Sequence, residues 1–178
     1  EENIVVASPG ELSFMTMNIL LHGVENPHAV VVSPAYQSLY EVLKSLNCDI
    51  SYWKATECDN EWKFDTNELR RLVKDNTRII VINFPHNPTG AYLTKQQLQE
   101  IVEIAREKDA YIYSDEMYRD LIVAQSSNEK PIEISPVCDV YEKGISLWGM
   151  AKSFGLAGAR IGWIATQDKE LVEQLLQF

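Results

Sequence analysis

Short apolar runs alternate along this chain with longer stretches in which apolar residues recur every three or four positions. The short runs are rich in β-branched and aromatic residues, and they predict seven strands, over 4–7, 29–33, 50–54, 78–84, 110–114, 144–148 and 161–165. The fourth run, RIIVINF, is apolar on both faces, as expected of a strand covered by helices on both sides. Strands and helices that alternate in this way predict an α/β fold with a mainly parallel sheet.

The ends of several helices are marked by capping residues. Thr94 and Gln97 form a T-x-x-Q capping box, which predicts a helix that starts directly after Thr94. Asp65 predicts a second helix start. Further helical patterns cover 12–21, 39–46 and 171–178. The Ser-, Asn- and Pro-containing stretch 123–137 predicts a surface loop.

Composition and charge narrow the range of partners. The 178 residues include 16 Lys and Arg against 26 Asp and Glu, a net charge of −10, without a basic run that would bind nucleic acid or anionic lipid. The longest apolar run is far shorter than the roughly 20 residues of a membrane helix. The three cysteines form no CxxC pair or Cys/His cluster, so we expect reduced thiols, no metal site and a cytoplasmic location, with neither nucleic acid nor membrane as partner.

Polar and glycine-containing segments follow five of the predicted strands. These segments are 8–10, 34–36, 85–90, 115–118 and 149–160. The carboxyl ends of parallel strands meet at one edge of a sheet, where ligands bind in open α/β folds. We therefore expect the segments to form one site.

Three of the motifs in these segments resemble signatures of the fold-type I pyridoxal-phosphate-dependent enzymes, in the class I/II aminotransferase family. They are NFPHNPTG at 83–90, SDEMY at 114–118 and KSFGLAGARIGW at 152–163, in the family's order. The resemblance implies a three-layer α/β/α fold with a mainly parallel seven-stranded sheet whose last strand is antiparallel. It also implies that 1–178 is a large cofactor-binding domain, with an N-terminal segment and a C-terminal small domain lying outside this chain.

The resemblance assigns catalytic roles to three residues. Lys152 matches the lysine that forms a Schiff base with the aldehyde of pyridoxal 5′-phosphate, although a lysine in a Gly-rich loop can also be simply exposed. Asp115 matches the carboxylate that pairs with the pyridine nitrogen, and a helix N-cap is the alternative. Tyr118, together with Asn87, matches the pair that hydrogen-bonds the phenolate oxygen of the cofactor; the alternatives are a core tyrosine and a turn asparagine.

Further cofactor contacts are implied at both ends of the site. Tyr36 matches the aromatic residue that stacks on the ring, although packing at a strand end would also explain it. Arg160 matches the arginine that binds the phosphate, with a surface arginine as the alternative. Gly10, Glu11 and Leu12 begin the helix whose backbone N–H groups would face the same phosphate.

The sequence departs from the family pattern at the phosphate end. Gly149 and Ala151 stand where family members usually carry hydroxyl residues, and Ser8 and Ser153 are the alternative hydroxyl donors. We therefore expect weaker cofactor binding than is usual in the family.

Three other titratable residues receive structural interpretations. His22 and His28 flank a turn and are expected to be solvated. Glu116, next to Asp115, is expected to be a surface or supporting carboxylate rather than a general acid.

The resemblance implies an aminotransferase that moves an amino group from an amino acid to a 2-oxo acid and forms a homodimer. Two alternatives use the same fold. One is a pyridoxal-phosphate-dependent lyase that eliminates a β-substituent, and the other is a non-catalytic aminotransferase-like domain that binds an effector.

Overall fold

Strands and helices alternate through residues 2–121 and 135–178, the part of the chain that this computed structural model describes. The strands are β1 (Ile4–Ala7), β2 (His28–Ser33), β3 (Asp49–Lys54), β4 (Thr56–Cys58), β5 (Glu61–Lys63), β6 (Thr77–Asn83), β7 (Tyr111–Asp115), β8 (Gly144–Gly149) and β9 (Gly162–Thr166). The α-helices are α1 (Pro9–Leu21), α2 (Ser38–Ser45), α3 (Thr66–Leu72), α4 (Lys95–Glu107), α5 (Val137–Val140) and α6 (Lys169–Gln177). All seven predicted strands are present, with each end within one residue of its predicted position.

Seven strands form one sheet in the order β1-β9-β8-β7-β6-β2-β3. The pairs from β3 through β2, β6 and β7 to β8 are parallel, whereas β9 runs antiparallel to both β8 and β1. The predicted fold, a mainly parallel seven-stranded sheet with an antiparallel last strand, is confirmed.

Helices cover both faces of the sheet and bury one apolar cluster on each side. One cluster contains residues of α1, α2 and α6, and the other contains residues of α3, α4 and α5. Strand β6 supplies both clusters, because Ile79 and Val81 point to the first and Ile80 and Ile82 to the second. Successive side chains of β6 point to opposite faces, and both faces are covered, so the sequence of this strand is continuously apolar.

The helix caps form as predicted. Thr94 Oγ1 accepts a hydrogen bond from the Gln97 amide at 3.2 Å, and Gln97 Oε1 accepts one from the Thr94 amide at 3.0 Å, which completes the capping box of α4. Asp65 caps α3 by accepting from the Asn67 amide at 2.9 Å. Helix α1 begins three residues earlier than its apolar pattern, at Pro9, which is favoured in a first turn because it lacks an N–H group.

A short hairpin, β4–β5, was not predicted. Both strands are three residues long and exposed, so they show no alternation of buried and exposed positions. The turn between them places Asp59 and Asn60 in the left-handed region, at φ 56° and 61°, which these two residue types tolerate better than most.

Two other predictions need correction. His28 is buried rather than solvated, with Nδ1 2.7 Å from Thr77 Oγ1 and Nε2 2.9 Å from Ser51 Oγ, whereas His22 is exposed as predicted. Most of the predicted loop 123–137, as far as 134, lies outside the described residues, and its last residue, Val137, is buried at the start of α5. Over 2–121 and 135–178, no helix has the length and apolar character needed to cross a membrane.

Candidate active site

The segments that follow the strands meet at one edge of the sheet around a cavity of about 340 Å³. Seven of the nine residues predicted to bind cofactor or act in catalysis line it: Gly10, Tyr36, Asn87, Asp115, Tyr118, Lys152 and Arg160. These residues come from five separate segments of the chain. The expectation that the carboxyl ends of the strands form one site is confirmed.

Asp115 is the last residue of β7 and lies at the base of the cavity. Its Oδ1 accepts a hydrogen bond from the Met117 amide at 3.1 Å, so it also caps the turn that follows. Enclosure by protein raises the pKa of this carboxyl to about 6, and the neighbouring Glu116 carboxylate acts in the same direction. A cationic group placed in the cavity would stabilise the ionised form.

Asn87, Tyr118 and Lys152 form one corner of the cavity. Asn87 Nδ2 lies 3.4 Å from the Tyr118 hydroxyl, and Lys152 Nζ lies 5.7 Å from the centre of the Tyr118 ring. Tyr118 is partly exposed to the cavity, so it is not a core tyrosine. The corner places an amide donor, a hydroxyl and a primary amine together.

At the opposite end, α1 and the segment after β8 converge. Gly10 lies in the first turn of the 13-residue helix α1, where backbone N–H groups and the helix dipole favour an anion. Arg160 has a left-handed φ of 54°, and its Nη1 donates to the Ala157 carbonyl at 3.3 Å. Both residues are exposed and line the cavity, as a phosphate site requires.

Of the three residues predicted at the start of α1, Gly10 lines the cavity, whereas Glu11 and Leu12 do not. The prediction concerned the backbone N–H groups of the first turn, which point toward the amino end of α1 whatever the direction of each side chain. Leu12 is fully buried in the core, and its amide donates to the Ser8 carbonyl at 3.0 Å. Glu11 is exposed and borders a separate groove beside Phe14.

The cavity has a different set of hydroxyl groups from the one expected. Neither Ser8 nor Ser153 lines it, whereas Ser13 and Ser38 do. Ser13 Oγ also lies 2.7 Å from the hydroxyl of the buried Tyr113, which joins α1 to β7. The contact of Ser13 with the cavity follows from its place one helical turn after Pro9.

Close packing of the backbone explains why position 149 is a glycine. A Cβ at this position would lie 3.0 Å from the Ile161 carbonyl oxygen and 3.1 Å from Gly162 Cα. The close approach of β8 and β9 therefore disfavours the hydroxyl residue that the family pattern usually places here. Ala151, the other departure, lines the cavity without a polar group.

His86 was not predicted as a site residue, but it joins two of the cavity loops. Its Nε2 lies 2.8 Å from the Pro34 carbonyl, which can only accept, so Nε2 carries the proton and Nδ1 accepts from the Thr89 hydroxyl at 2.7 Å. Burial lowers the pKa of the imidazole, which favours this neutral form. The bond to Pro34 holds the loop that carries Tyr36 against the loop that carries Asn87.

Tyr36 stands at the mouth of the cavity and is 60% exposed. An exposed aromatic ring at a cavity mouth is not explained by packing at a strand end, the alternative considered from sequence. Its position is compatible with stacking on a bound ring.

Glu116 is a buried carboxylate, only 3% exposed, and not a surface one. It forms an ion pair with Arg119 at 3.0 Å and accepts hydrogen bonds from the Ser146 hydroxyl at 2.9 Å and the Val137 amide at 3.0 Å. These partners belong to β8 and α5 and to the turn after β7. Glu116 therefore supports the end of β7 beside Asp115, which is the supporting role considered from sequence.

No group of three or more His, Cys, Asp and Glu side chains arranged to hold a metal ion occurs within 2–121 and 135–178. The ionisable groups that converge on the cavity are suited to an organic anion with a basic ring.

Known proteins share both the sequence pattern and the fold. The chain is 36% identical over 120 residues, 67% of its length, to aromatic-amino-acid aminotransferase 2 of Thermococcus litoralis. It is 28% identical over 172 residues, 92% of its length, to aspartate aminotransferase of Sulfolobus acidocaldarius. The crystal structure of a PLP-dependent aminotransferase from Streptococcus suis superposes on 99% of the chain with a TM-score of 0.84 and 33% identity.

The relatives are much longer than this chain. It spans 30% and 40% of the two curated relatives and 44% of the Streptococcus suis chain. The family model for aminotransferase class I and II matches residues 6–178, which include every segment around the cavity. The chain belongs to the aminotransferase class I and II family.

Proposed function

We propose that this chain is the cofactor-binding part of a pyridoxal 5′-phosphate-dependent aminotransferase that transfers an amino group from an amino acid to a 2-oxo acid. The observation that carries the proposal is the convergence of Lys152, Asp115, Asn87, Tyr118 and Arg160 on one cavity. Because the chain spans less than half of its relatives, we assign cofactor binding to these residues and amino transfer to the whole protein.

The residues present fit the cofactor. The cavity, about 340 Å³, lies in the range of small-molecule sites. Burial raises the pKa of the Asp115 carboxyl, so a cation beside it would favour the ionised form, and a protonated pyridine nitrogen is such a cation. Arg160 and the first turn of α1 provide a guanidinium and backbone N–H groups for the phosphate, although the absence of hydroxyls at 149 and 151 favours weak binding.

Pyridoxal 5′-phosphate, when bound, supplies an aldehyde for the amino groups of lysine and substrate, and a ring that accepts the electron pair left when the substrate Cα loses a proton. Asp115 would hold the ring nitrogen in its protonated form, because a carboxylate stabilises a cation beside it. Asn87 and Tyr118 offer hydrogen bonds to the ring oxygen. Lys152 would hold the aldehyde through its Nζ, and as a free amine it would take up and return the Cα proton of the substrate.

Reduction with borohydride tests the assignment of Lys152. We expect pyridoxal phosphate followed by borohydride to label the peptide containing Lys152, and the label to disappear in Lys152→Ala. Lys54→Ala, an exposed lysine at the end of β3, is the matched control and should keep the label. A label that stays in Lys152→Ala, or none on the wild-type peptide, would overturn the proposal.

The full-length protein distinguishes amino transfer from the two alternatives. With an amino acid alone, a transaminase converts its cofactor to the pyridoxamine form, whereas a lyase releases a 2-oxo acid and ammonia and recovers its starting absorbance. An effector-binding domain binds cofactor without turnover. We expect the pyridoxamine spectrum, and little or no turnover by the 178-residue chain alone.

We also propose that the full-length protein is a cytoplasmic homodimer. Support comes from apolar side chains left exposed close to the cavity, among them Phe154 and Leu156, which are 52% and 48% exposed. Light scattering of the full-length protein is the test, and a fully active monomer would contradict the proposal.

A further inference from the structure

We propose that Asn83 is a positioning residue that fixes the position of Asn87 relative to Asp115. The groups assigned to the ring oxygen and the ring nitrogen of the cofactor would then stay at a fixed separation. The inference rests on the proposed function, because it concerns the residues assigned to the ring nitrogen and the ring oxygen.

The carboxamide of Asn83 bridges two backbone groups. Its Nδ2 donates to the Asp115 carbonyl at 2.8 Å, and its Oδ1 accepts from the Asn87 amide at 3.1 Å. A backbone carbonyl only accepts and an amide N–H only donates, so the orientation of the carboxamide is unambiguous. Asn83 is 1% exposed, and at this burial the loss of either partner leaves an unsatisfied polar group.

The bridge lies where β6 and β7 separate. Asn83 and Asp115 are the last paired residues of these two parallel strands, so the regular ladder ends with them. Beyond this point the chain passes through Pro85 and Pro88, which lack N–H groups, and the loop has few backbone donors with which to stay attached to the sheet. The Asn87 amide is one of those donors, and the side chain of Asn83 is its acceptor.

The chemistry of the bridge requires a carboxamide. Leucine has a similar size but neither a donor nor an acceptor, so it would free the Asn87 amide and the Asp115 carbonyl together. Serine is too short to span both groups, but it is small and polar and leaves room for water from the cavity, which favours a folded variant.

Thr77 provides a matched control at the other end of the same strand. It is 4% exposed, accepts from the Lys74 amide at 2.7 Å, and has its Oγ1 2.7 Å from His28 Nδ1. Thr77→Val therefore removes two hydrogen bonds of a buried side chain of β6, as Asn83→Leu does, but at the amino end of β6, away from the cavity.

The experiment compares wild type, Asn83→Leu, Asn83→Ser and Thr77→Val. Hydrogen exchange of the Asn87 amide is measured without cofactor, and the dissociation constant of pyridoxal phosphate is measured by absorbance and checked by borohydride labelling. We expect both Asn83 variants to speed exchange at Asn87 and to raise the dissociation constant by about tenfold or more, the equivalent of one buried hydrogen bond. Thr77→Val should leave both values within about twofold of wild type, even where it lowers overall stability.

Each other result counts against the bridge. Unchanged exchange at Asn87 in the Asn83 variants, or an equal change in Thr77→Val, would show that the carboxamide does not hold the loop. Faster exchange with an unchanged dissociation constant would show that the bridge does not affect the cofactor. Failure of the proposed function has a different signature, because wild type and Thr77→Val would then also take up no cofactor on Lys152.

Discussion

Replacing Asp115 with Asn should stabilise the cofactor-free fold while it removes function. The substitution keeps the size of the side chain and the oxygen that accepts from the Met117 amide at 3.1 Å, but it removes the buried charge. In the absence of a cation in the cavity, that charge opposes folding, because burial raises the pKa of the carboxyl to about 6 from its ordinary value of 3.8.

The magnitude follows from the linkage between proton binding and stability. Because the native carboxyl binds its proton more tightly than the unfolded one, the free energy of unfolding of wild type falls as pH rises from about 4 to about 6. The full effect at pH 7 and above is about 3 kcal/mol, an upper limit because the cavity admits water. At pH 4.5 about 1 kcal/mol remains, since the native carboxyl is then almost fully protonated whereas the unfolded one is still mostly ionised.

Urea unfolding followed by circular dichroism, at pH 7.5 and at pH 4.5, measures the difference. We expect Asp115→Asn to be more stable than wild type at pH 7.5 by up to about 3 kcal/mol, with a smaller difference at pH 4.5. Asp59→Asn, at an exposed turn, is the control and should match wild type at both values. Equal or lower stability of Asp115→Asn at pH 7.5, or a difference that does not shrink in acid, would refute the reasoning.

In the full-length protein, the same substitution should raise the activation free energy of amino transfer by several kcal/mol, because the ring nitrogen would lose its protonated state. A variant that is both more stable and inactive would indicate that the carboxylate is retained for chemistry and not for folding. Near-normal turnover would show that Asp115 only caps the turn after β7.

Three further substitutions test other parts of the fold. His86→Gln should lower the free energy of unfolding by about 1–3 kcal/mol. It should also reduce the fall of that free energy below pH 6.5, because burial lowers the pKa of the native imidazole and the unfolded state of wild type therefore binds the proton more tightly; parallel pH curves for the two proteins would contradict this. Gly162→Ala should lower the free energy of unfolding by about 1–3 kcal/mol, since its Cβ would lie 2.6 Å from the Pro9 ring. Gly158→Ala, whose Cβ would meet no atom within 4 Å, should melt like wild type. Thr94→Ala should lower the free energy of unfolding by about 0.5–2 kcal/mol, because it removes the cap of α4, and Thr94→Ser should restore most of that loss. Equal melting temperatures of the two variants would argue against the capping box.

The features that sequence predicted correctly depend on neighbours along the chain. Strand ends fell within one residue because burial on one or both faces of a strand imposes a regular pattern on consecutive positions. The capping box at Thr94 was readable because its two partners are three residues apart. Short motifs likewise carry Lys152, Asp115 and Asn87, which the structure brings to one cavity and whose roles stay predictions.

What the sequence missed depends on contacts between distant segments. Asn83 and His86 both lie in the NFPHNPTG motif, but the motif does not show which segments they contact. Asn83 bonds the Asp115 carbonyl 32 positions away, and His86 bonds the Pro34 carbonyl 52 positions away. The burial of Glu116 could not be predicted from its neighbours in sequence, because the partners that accommodate its carboxylate come from β8 and α5.

The surroundings of the residues at the start of α1 also became known only from the tertiary structure. Motif position predicted that the backbone N–H groups of Gly10, Glu11 and Leu12 face the phosphate. The structure adds that Gly10 lines the cavity, whereas Leu12 packs in the core and its amide bonds the Ser8 carbonyl. The sequence by itself therefore determined the elements and the motifs that carry the candidate site residues. Tertiary packing decided which side chains converge on the cavity, because burial and long-range hydrogen bonds exist only after the strands have come together.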